Sequence, residues 1–238
     1  MPRRTSPPPA RPLRTAVDRL ARAVRAVLFA VVGVLVLLAL SEMPAVQRWT
    51  RGLGTQRPRV GLLAGHWQND SGAVCPDGLQ EVEVNLAVAR RAAVLLREQG
   101  YEAEVLPEFA ALLDGYRADA FLAIHADSCL EGYSGFKVAR LSTAQMPAAS
   151  DRLVSALEAA YATATGLASH VDTITEDMRQ YYALRQIAPQ TPGAIIECGF
   201  LGGDRYLLTA EQDRVAVGIA NGLMAFLRGQ SAAQTAAP

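Results

Sequence analysis

Beyond residue 58 the chain alternates short apolar runs with stretches of helical period, and polar residues fall where the apolar runs stop. The runs 59–64 (RVGLLA), 102–106, 118–124 (ADAFLAI), 135–141 (GFKVARL) and 193–197 (GAIIE) have strand length. Between them, residues 81–99 carry Leu86, Ala89, Ala93 and Leu96 on one stripe, with Gly100 placed to end the helix. Residues 151–165 repeat Leu153, Ala156, Leu157, Ala160 and Tyr161 at helical spacing, and 211–228 do so with Val215, Ile219, Gly222 and Phe226. Strands alternating with helices of this length predict an α/β fold with a mostly parallel central sheet flanked by helices. The run 135–141 carries two charges and belongs at or near an edge of the sheet.

In open sheets of this kind, sites form beyond the carboxyl ends of the strands. Three segments place polar residues there. Gly65-His66 follows the first run, His125-Ala126-Asp127 follows ADAFLAI, and Glu197 closes GAIIE. Glu81 opens the first helix, where it points back over the strand ends; its other reading is a charge complementing the helix dipole. Two His and one Glu form the three-ligand set of a catalytic zinc ion, with a fourth position left for water. Glu197, ionisable at the end of a strand of Ala and Ile, needs a partner and is the candidate base for that water. Glu81 and Glu83 cannot both face one metal, because two residues turn a helix by about 200°.

The first 59 residues differ in kind from the rest. They hold 11 Arg against Asp18 and Glu42, a net charge of +9, whereas residues 60–238 carry −9. A body of that charge is a poor partner for nucleic acid, which requires clustered cations. Residues 1–25 read as a basic cytoplasmic N-terminus with seven Arg, and residues 26–44 as a transmembrane signal-anchor helix built on the uncharged run 26–41. A signal peptide cleaved near Ser41, after Ala39-Leu40, is the competing reading. Both export the body. Residues 45–57 form a linker, 58–228 the catalytic domain, and 229–238 a disordered tail.

At this point the residues resemble a known family, the zinc-dependent N-acetylmuramoyl-L-alanine amidases that cut cell-wall peptidoglycan. Their motif Gly-His-Gly-Gly-x-Asp-x-Gly-Ala appears as GHWQNDSGA, keeping Gly65, His66, Asp70, Gly72 and Ala73. A ligand Glu four residues before Asn-Leu appears in EVEVNLAVA, and that register selects Glu81 over Glu83. Ser-Ile-His-Ala-Asn appears as AIHAD with His125, and Glu-Cys-Gly-Phe-Leu as ECGFLGGD with Glu197. The four ordered motifs cover about residues 58–228. The resemblance implies zinc on His66, Glu81 and His125, Glu197 as catalytic carboxylate, and cleavage between N-acetylmuramic acid and L-Ala. Four positions depart from the pattern. Trp67 and Gln68 replace two glycines, Asp127 replaces Asn and adds negative charge near the metal, and Gly203 replaces Asn. Asp70, Trp67 and Arg185 are the candidate substrate contacts. The polar stretch 166–182, with His170, Tyr181 and Tyr182, reads as a groove wall in which His170 is not a ligand.

Of the three Cys, Cys198 faces the core. Cys75 follows His66 by nine residues and Cys129 follows His125 by four, so their loops meet at the site rim either as a disulfide or as two separate thiols. Besides peptidoglycan hydrolysis, two readings remain open. One is a zinc amidase or peptidase acting on another amide, such as a soluble muropeptide. The other is a membrane-tethered peptidoglycan-binding protein without catalysis, which expects a missing ligand or base.

Overall fold

Aliphatic runs with both faces covered build the sheet. The computed structural model describes residues 21–29, 31–33 and 57–236. Two units are distinguished, Met1–Gln56 and Arg57–Pro238. In the first, residues 21–29 and 31–33 are helical, with Val27, Leu28 and Phe29 exposed. Most of the expected anchor, 26–44, lies outside the described residues, among which no helix is long and apolar enough to cross a membrane.

The second unit contains strands β1 (Arg59–Ala64), β2 (Glu102–Leu106), β3 (Ala120–Asp127), β4 (Lys137–Ala139) and β5 (Gly193–Phe200). Its helices are α1 (Glu81–Glu98), α2 (Pro147–Thr165), α3 (Glu176–Arg179), α4 (Tyr182–Gln186), α5 (Arg205–Ala210) and α6 (Gln212–Ala236). The strands order as β2-β1-β3-β5-β4. All neighbours are parallel except β4, which runs antiparallel along β5 at the edge. This is the parallel α/β sheet expected, with the charged strand at its margin.

Alternate residues of each strand enter opposite layers, as a pleated strand requires. Leu62, Leu122, Ile124 and Ile196 pack under α1, α2 and α6 with Val88, Leu96, Leu157 and Leu223. Leu63, Phe121, Ala123 and Ile195 face the other way, against Leu113, Met178, Leu184 and Ile187 from shorter elements. Each fully buried Leu, Ile or Phe contributes roughly 1.5–3 kcal/mol. Tyr161 is fully buried as well, and its hydroxyl donates to the Cys198 carbonyl at 2.6 Å, which removes the cost of an unpaired polar group.

Several element ends differ from the sequence reading: β3 runs on to Asp127 and so includes His125, and β4 is only Lys137–Ala139. α2 begins at Pro147 rather than Asp151, because a proline in the first turn is pre-set for helix and loses no bond. β5 continues past Glu197 to Phe200, through Cys198 and Gly199. α6 does not stop at Arg228 to leave a disordered tail; it continues to Ala236, since Ala and Gln after Gly229 are good helix formers.

Candidate metal centre

The carboxyl ends of β1, β3 and β5 and the first turn of α1 deliver four side chains to one place. His66 leaves β1 on a turn, His125 lies in β3, and Glu197 lies opposite His125 in the β3–β5 register. A register shift in β3 between His125 and Asp127 marks the spot. One nitrogen of His66, one of His125 and a carboxylate oxygen of Glu81 all lie within 4.8 Å of one another.

Glu81 is the hub. Its Oε2 lies 3.2 Å from His66 Nε2, and its Oε1 lies 3.0 Å from His125 Nδ1. Asn85, one turn along α1, donates to Glu81 Oε1 at 3.0 Å, and the Ala73 N–H donates to Oε2 at 3.0 Å. Burial works against the Glu81 carboxylate, yet the hydrogen bonds from His125 and His66 hold it well below the usual carboxylate range. Its hydrogen bond to Glu81 pushes His66 up to about 9. His125 is also raised, its burial being overcome by Glu81. Side chains at the two glycines would intrude: a Cβ at Gly65 would stand 2.3 Å from His125 Cε1, and one at Gly72 would stand 2.5 Å from Glu81 Oε2.

Each histidine has its outer nitrogen held. His66 Nδ1 meets Asp70 Oδ1 at 2.5 Å, and His125 Nε2 meets the Tyr181 hydroxyl at 3.0 Å. That leaves His66 Nε2 and His125 Nδ1 facing the Glu81 carboxylate. Two imidazoles and one carboxylate, each oriented by an outer partner, are the donor set and support that zinc takes, so the residues present fit the metal.

Glu197 stands apart from this network. Among the described residues its Oε2 is buried with no hydrogen-bond partner. Burial pushes the carboxyl up to about 7, with Glu81 and Asp127 adding to the rise and His125 and Lys137 opposing it. A carboxyl poised near neutrality beside a cluster able to hold a metal has the property required of a general base.

The remaining expectations divide. Cys75 and Cys129 form a disulfide with Cα atoms 5.5 Å apart, and Cys198 is a buried free thiol. Asp70 is turned onto His66 and the Gly72 N–H (2.9 Å), so it orients the His66 ring. Trp67 packs against the core under the Arg90 guanidinium of α1, 5.8 Å from the ring centre. Arg185 is not brought to the cluster: it lines a separate recess of about 210 Å³ with Leu141, Met146 and Gly193, where β5 begins. Asp127 does not leave a bare charge by the metal, since the buried Lys137 ammonium pairs with it. Gln68 takes φ 62 and His66 φ 67, so the turn that two glycines would relax is held here by bulkier residues at some strain. Gly203 has no room for a side chain: a Cβ there would meet the Tyr133 carbonyl oxygen at 1.8 Å. His170 bonds Thr173, away from the cluster.

Sequence reasoning missed Glu108. It is only 5% exposed and lies just beyond β2. Its Oε2 accepts the His66 N–H and its Oε1 accepts the Tyr181 hydroxyl at 2.6 Å. The rule that picked the other residues, a polar group where a strand stops, applies equally to Leu106-Pro107-Glu108.

Comparison with known proteins points one way. Residues 60–225 match the sequence profile of the N-acetylmuramoyl-L-alanine amidases. A segment of the chain is 38% identical over 87 residues to the amidase AmiC of Neisseria meningitidis serogroup B, covering 33% of this chain and 21% of that protein. The match therefore spans about a fifth of that curated relative's length. An N-acetylmuramoyl-L-alanine amidase from Clostridium difficile 630 has the same fold, with a TM-score of 0.61 at 20% identity over 73% of this chain and 98% of that one. The catalytic domain of CwlV from Bacillus (Paenibacillus) polymyxa is similar at a TM-score of 0.55 and 26% identity, covering 72% of this chain and 98% of that domain.

Proposed function

The chain belongs to the N-acetylmuramoyl-L-alanine amidase family, and on that premise we propose that it hydrolyses the amide between N-acetylmuramic acid and L-Ala in peptidoglycan, using zinc. The observation that carries the reading is the meeting of His66, Glu81 and His125 within 4.8 Å, with the buried Oε2 of Glu197, opposite His125 in the sheet, left without a partner among the described residues.

His66, Glu81 and His125 would hold the metal, and bound zinc supplies a Lewis acid for the amide carbonyl and lowers the pKa of water towards about 7. Glu197 takes the proton of the attacking water and returns it to the leaving L-Ala nitrogen. Its burial suits both acts, because a carboxyl near pH 7 gives and accepts a proton with little bias. Asp70 keeps His66 aimed, and the Asp127–Lys137 pair flanks Glu197 from the neighbouring strands.

We read the catalytic unit as lying outside the cytoplasm, tethered by the N-terminal segment. The Arg-rich residues ahead of the apolar run support that orientation, and the Cys75–Cys129 bridge fits an oxidising compartment.

The test uses the full-length protein beside its Glu197→Gln and His66→Ala variants, measuring bound zinc and release of stem peptides from sacculi. The expected result is near one zinc per chain with release in the wild type. Glu197→Gln should keep the zinc and lose release by at least about a hundredfold, the lower range for a general base, and His66→Ala should lose both. Retained hydrolysis in Glu197→Gln would remove that residue from the mechanism. Zinc without release from sacculi, but with cleavage of soluble muropeptides, would move the substrate to the smaller class.

A further inference from the structure

The hydrogen bonds around the cluster converge on a residue that plays no part in the reaction derived above. Each ring nitrogen that faces away from Glu81 must be held if the facing nitrogen is to stay aimed. For His66 the holder is Asp70, four residues on and half exposed. For His125 the holder is the Tyr181 hydroxyl, and behind it stands the buried Glu108 carboxylate. The other oxygen of the same carboxylate accepts the backbone N–H of His66, whose φ of 67 lies in the left-handed region that side chains avoid.

We propose that Glu108 is a positioning residue for the metal centre, orienting both ligand histidines at once: His66 through its backbone N–H, and His125 through Tyr181.

The direction of the hydrogen bonds gives the relay its chemical content. An ionised carboxylate only accepts, and a phenol has one proton to give. Glu108 accepts the His66 N–H on one oxygen, and the Tyr181 proton goes to the other, Oε1. The phenol oxygen is then left to accept from His125, which places that hydrogen on Nε2. In the zinc-loaded protein the lone pair is thereby assigned to Nδ1, the nitrogen that hydrogen-bonds Glu81 in the metal-free protein. Replacing the carboxylate by an amide disrupts this, because the amide must turn its NH₂ either to the His66 N–H or to Tyr181. In the second case the phenol proton turns to His125 Nε2 and the lone pair is lost from Nδ1.

Burial and further contacts keep the relay in register. The Glu108 N–H donates to the Trp67 carbonyl at 3.0 Å, and the Tyr182 hydroxyl donates to the Glu108 carbonyl. The Tyr181 ring meets the His125 ring edge-on with centroids 5.3 Å apart. The segments 66–67, 108 and 181–182 are thus locked together behind the cluster.

This inference rests on the metal reading of the site and not on the choice of substrate. Its test is zinc affinity of the full-length protein, stripped of metal and titrated against a chromophoric chelator at pH 7, for the wild type, Tyr181→Phe and Glu108→Gln. Both variants should bind zinc 10–100-fold more weakly, the usual range for loss of an outer partner. Histidine side-chain ¹⁵N spectra of the zinc-loaded wild type should place the His125 hydrogen on Nε2, and Tyr181→Phe should lose the hydrogen-bonded character of that signal. On any cleaved substrate, kcat should fall with KM little changed. Tyr181→Phe keeps the ring and its packing, so it carries the test if Glu108→Gln folds poorly. Zinc affinities within twofold of wild type in both variants, or a His125 hydrogen on Nδ1, would overturn the proposal. A wild type that binds no zinc would overturn it together with the metal reading, whereas one that binds zinc but leaves peptidoglycan intact would overturn the substrate alone.

Discussion

His66 and Glu197 give the metal-free protein a stability response to pH of definite sign. His66 is raised from 6.5 to about 9 by its bond to Glu81. A raised histidine contributes stability that is whole below about pH 6.5 and is lost as pH climbs through about 9. Glu197, raised to about 7 by burial, acts in the same direction: the folded chain keeps its proton where the unfolded chain has released it, so stability falls between about pH 4.5 and 7. Glu81, held low, acts oppositely and only on the acid side, its contribution disappearing as pH drops below about 4.5. Metal-free protein should therefore melt at progressively lower temperature from pH 6 to pH 9. Zinc must displace the extra proton from His66, so its affinity should rise over the same interval with proton release. Thermal scans with and without a chelator check both, and a metal-free melting temperature that climbs from pH 6 to 9 would contradict the ionic coupling. Of the four clustered residues, His66, His125 and Glu197 were legible because each sits where an apolar run stops, and Glu81 because it opens the first helix. Glu108 obeys the same rule, but its role depends on bonds to residues 42 and 73 positions away, which local spacing does not encode.

Loops at the carboxyl side of the sheet are fastened to one another by two devices that can be cut separately. The Cys75–Cys129 bridge spans a sequence separation of 54, enclosing α1, β2 and β3. Chain-entropy reasoning puts its stabilisation at about 4 kcal/mol, with losses of 2–5 kcal/mol typical when a native bridge is removed. A Cys75→Ser, Cys129→Ser double variant should therefore unfold at lower denaturant by about that amount while the zinc ligands stay in place. Denaturant titration reads the first effect and zinc titration the second. The other device is the seating of Gly202 and Gly203 against residues 130–133, where added Cβ atoms would meet backbone at 2.5 and 1.8 Å. Gly203→Asn restores the side chain that the family pattern carries. It should destabilise this chain by about 1–3 kcal/mol, the usual cost of overpacking, because the backbone of Tyr133 cannot swing aside as a side chain would. A neutral result would mean that residues 130–133 yield freely. At this scale the sequence placed strands, the edge and helix stripes through their periods. It could not place ends such as Pro147 or Ala236, where no change of period marks the boundary. Nor could it choose between a bridge and two thiols at Cys75 and Cys129, since spacing does not set the distance between loops.

Charge divides the whole chain as sharply as structure does. Residues 1–59 carry +9 and residues 60–238 carry −9, and the boundary nearly coincides with that between the two units at Gln56 and Arg57. The residues proposed to hold the metal, the proposed base, both bridged cysteines and Glu108 all belong to the second unit, which also spans the family match. Every residue of the cluster comes from the second unit, so the two are expected to be separable in function. A chain lacking residues 1–56 should bind zinc with the affinity of the full-length protein and release stem peptides from soluble muropeptides at an unchanged kcat. Full-length protein should sediment with membranes and resist extraction by carbonate, as an apolar anchor does, while the shortened chain should stay in the supernatant. The negative body adds a second expectation: freed of its basic partner, it should be repelled by anionic lipid and show no salt-dependent return to vesicles. Membrane binding that survives the deletion would place the attachment on the catalytic unit, and a loss of zinc affinity would show that the first unit supports the site.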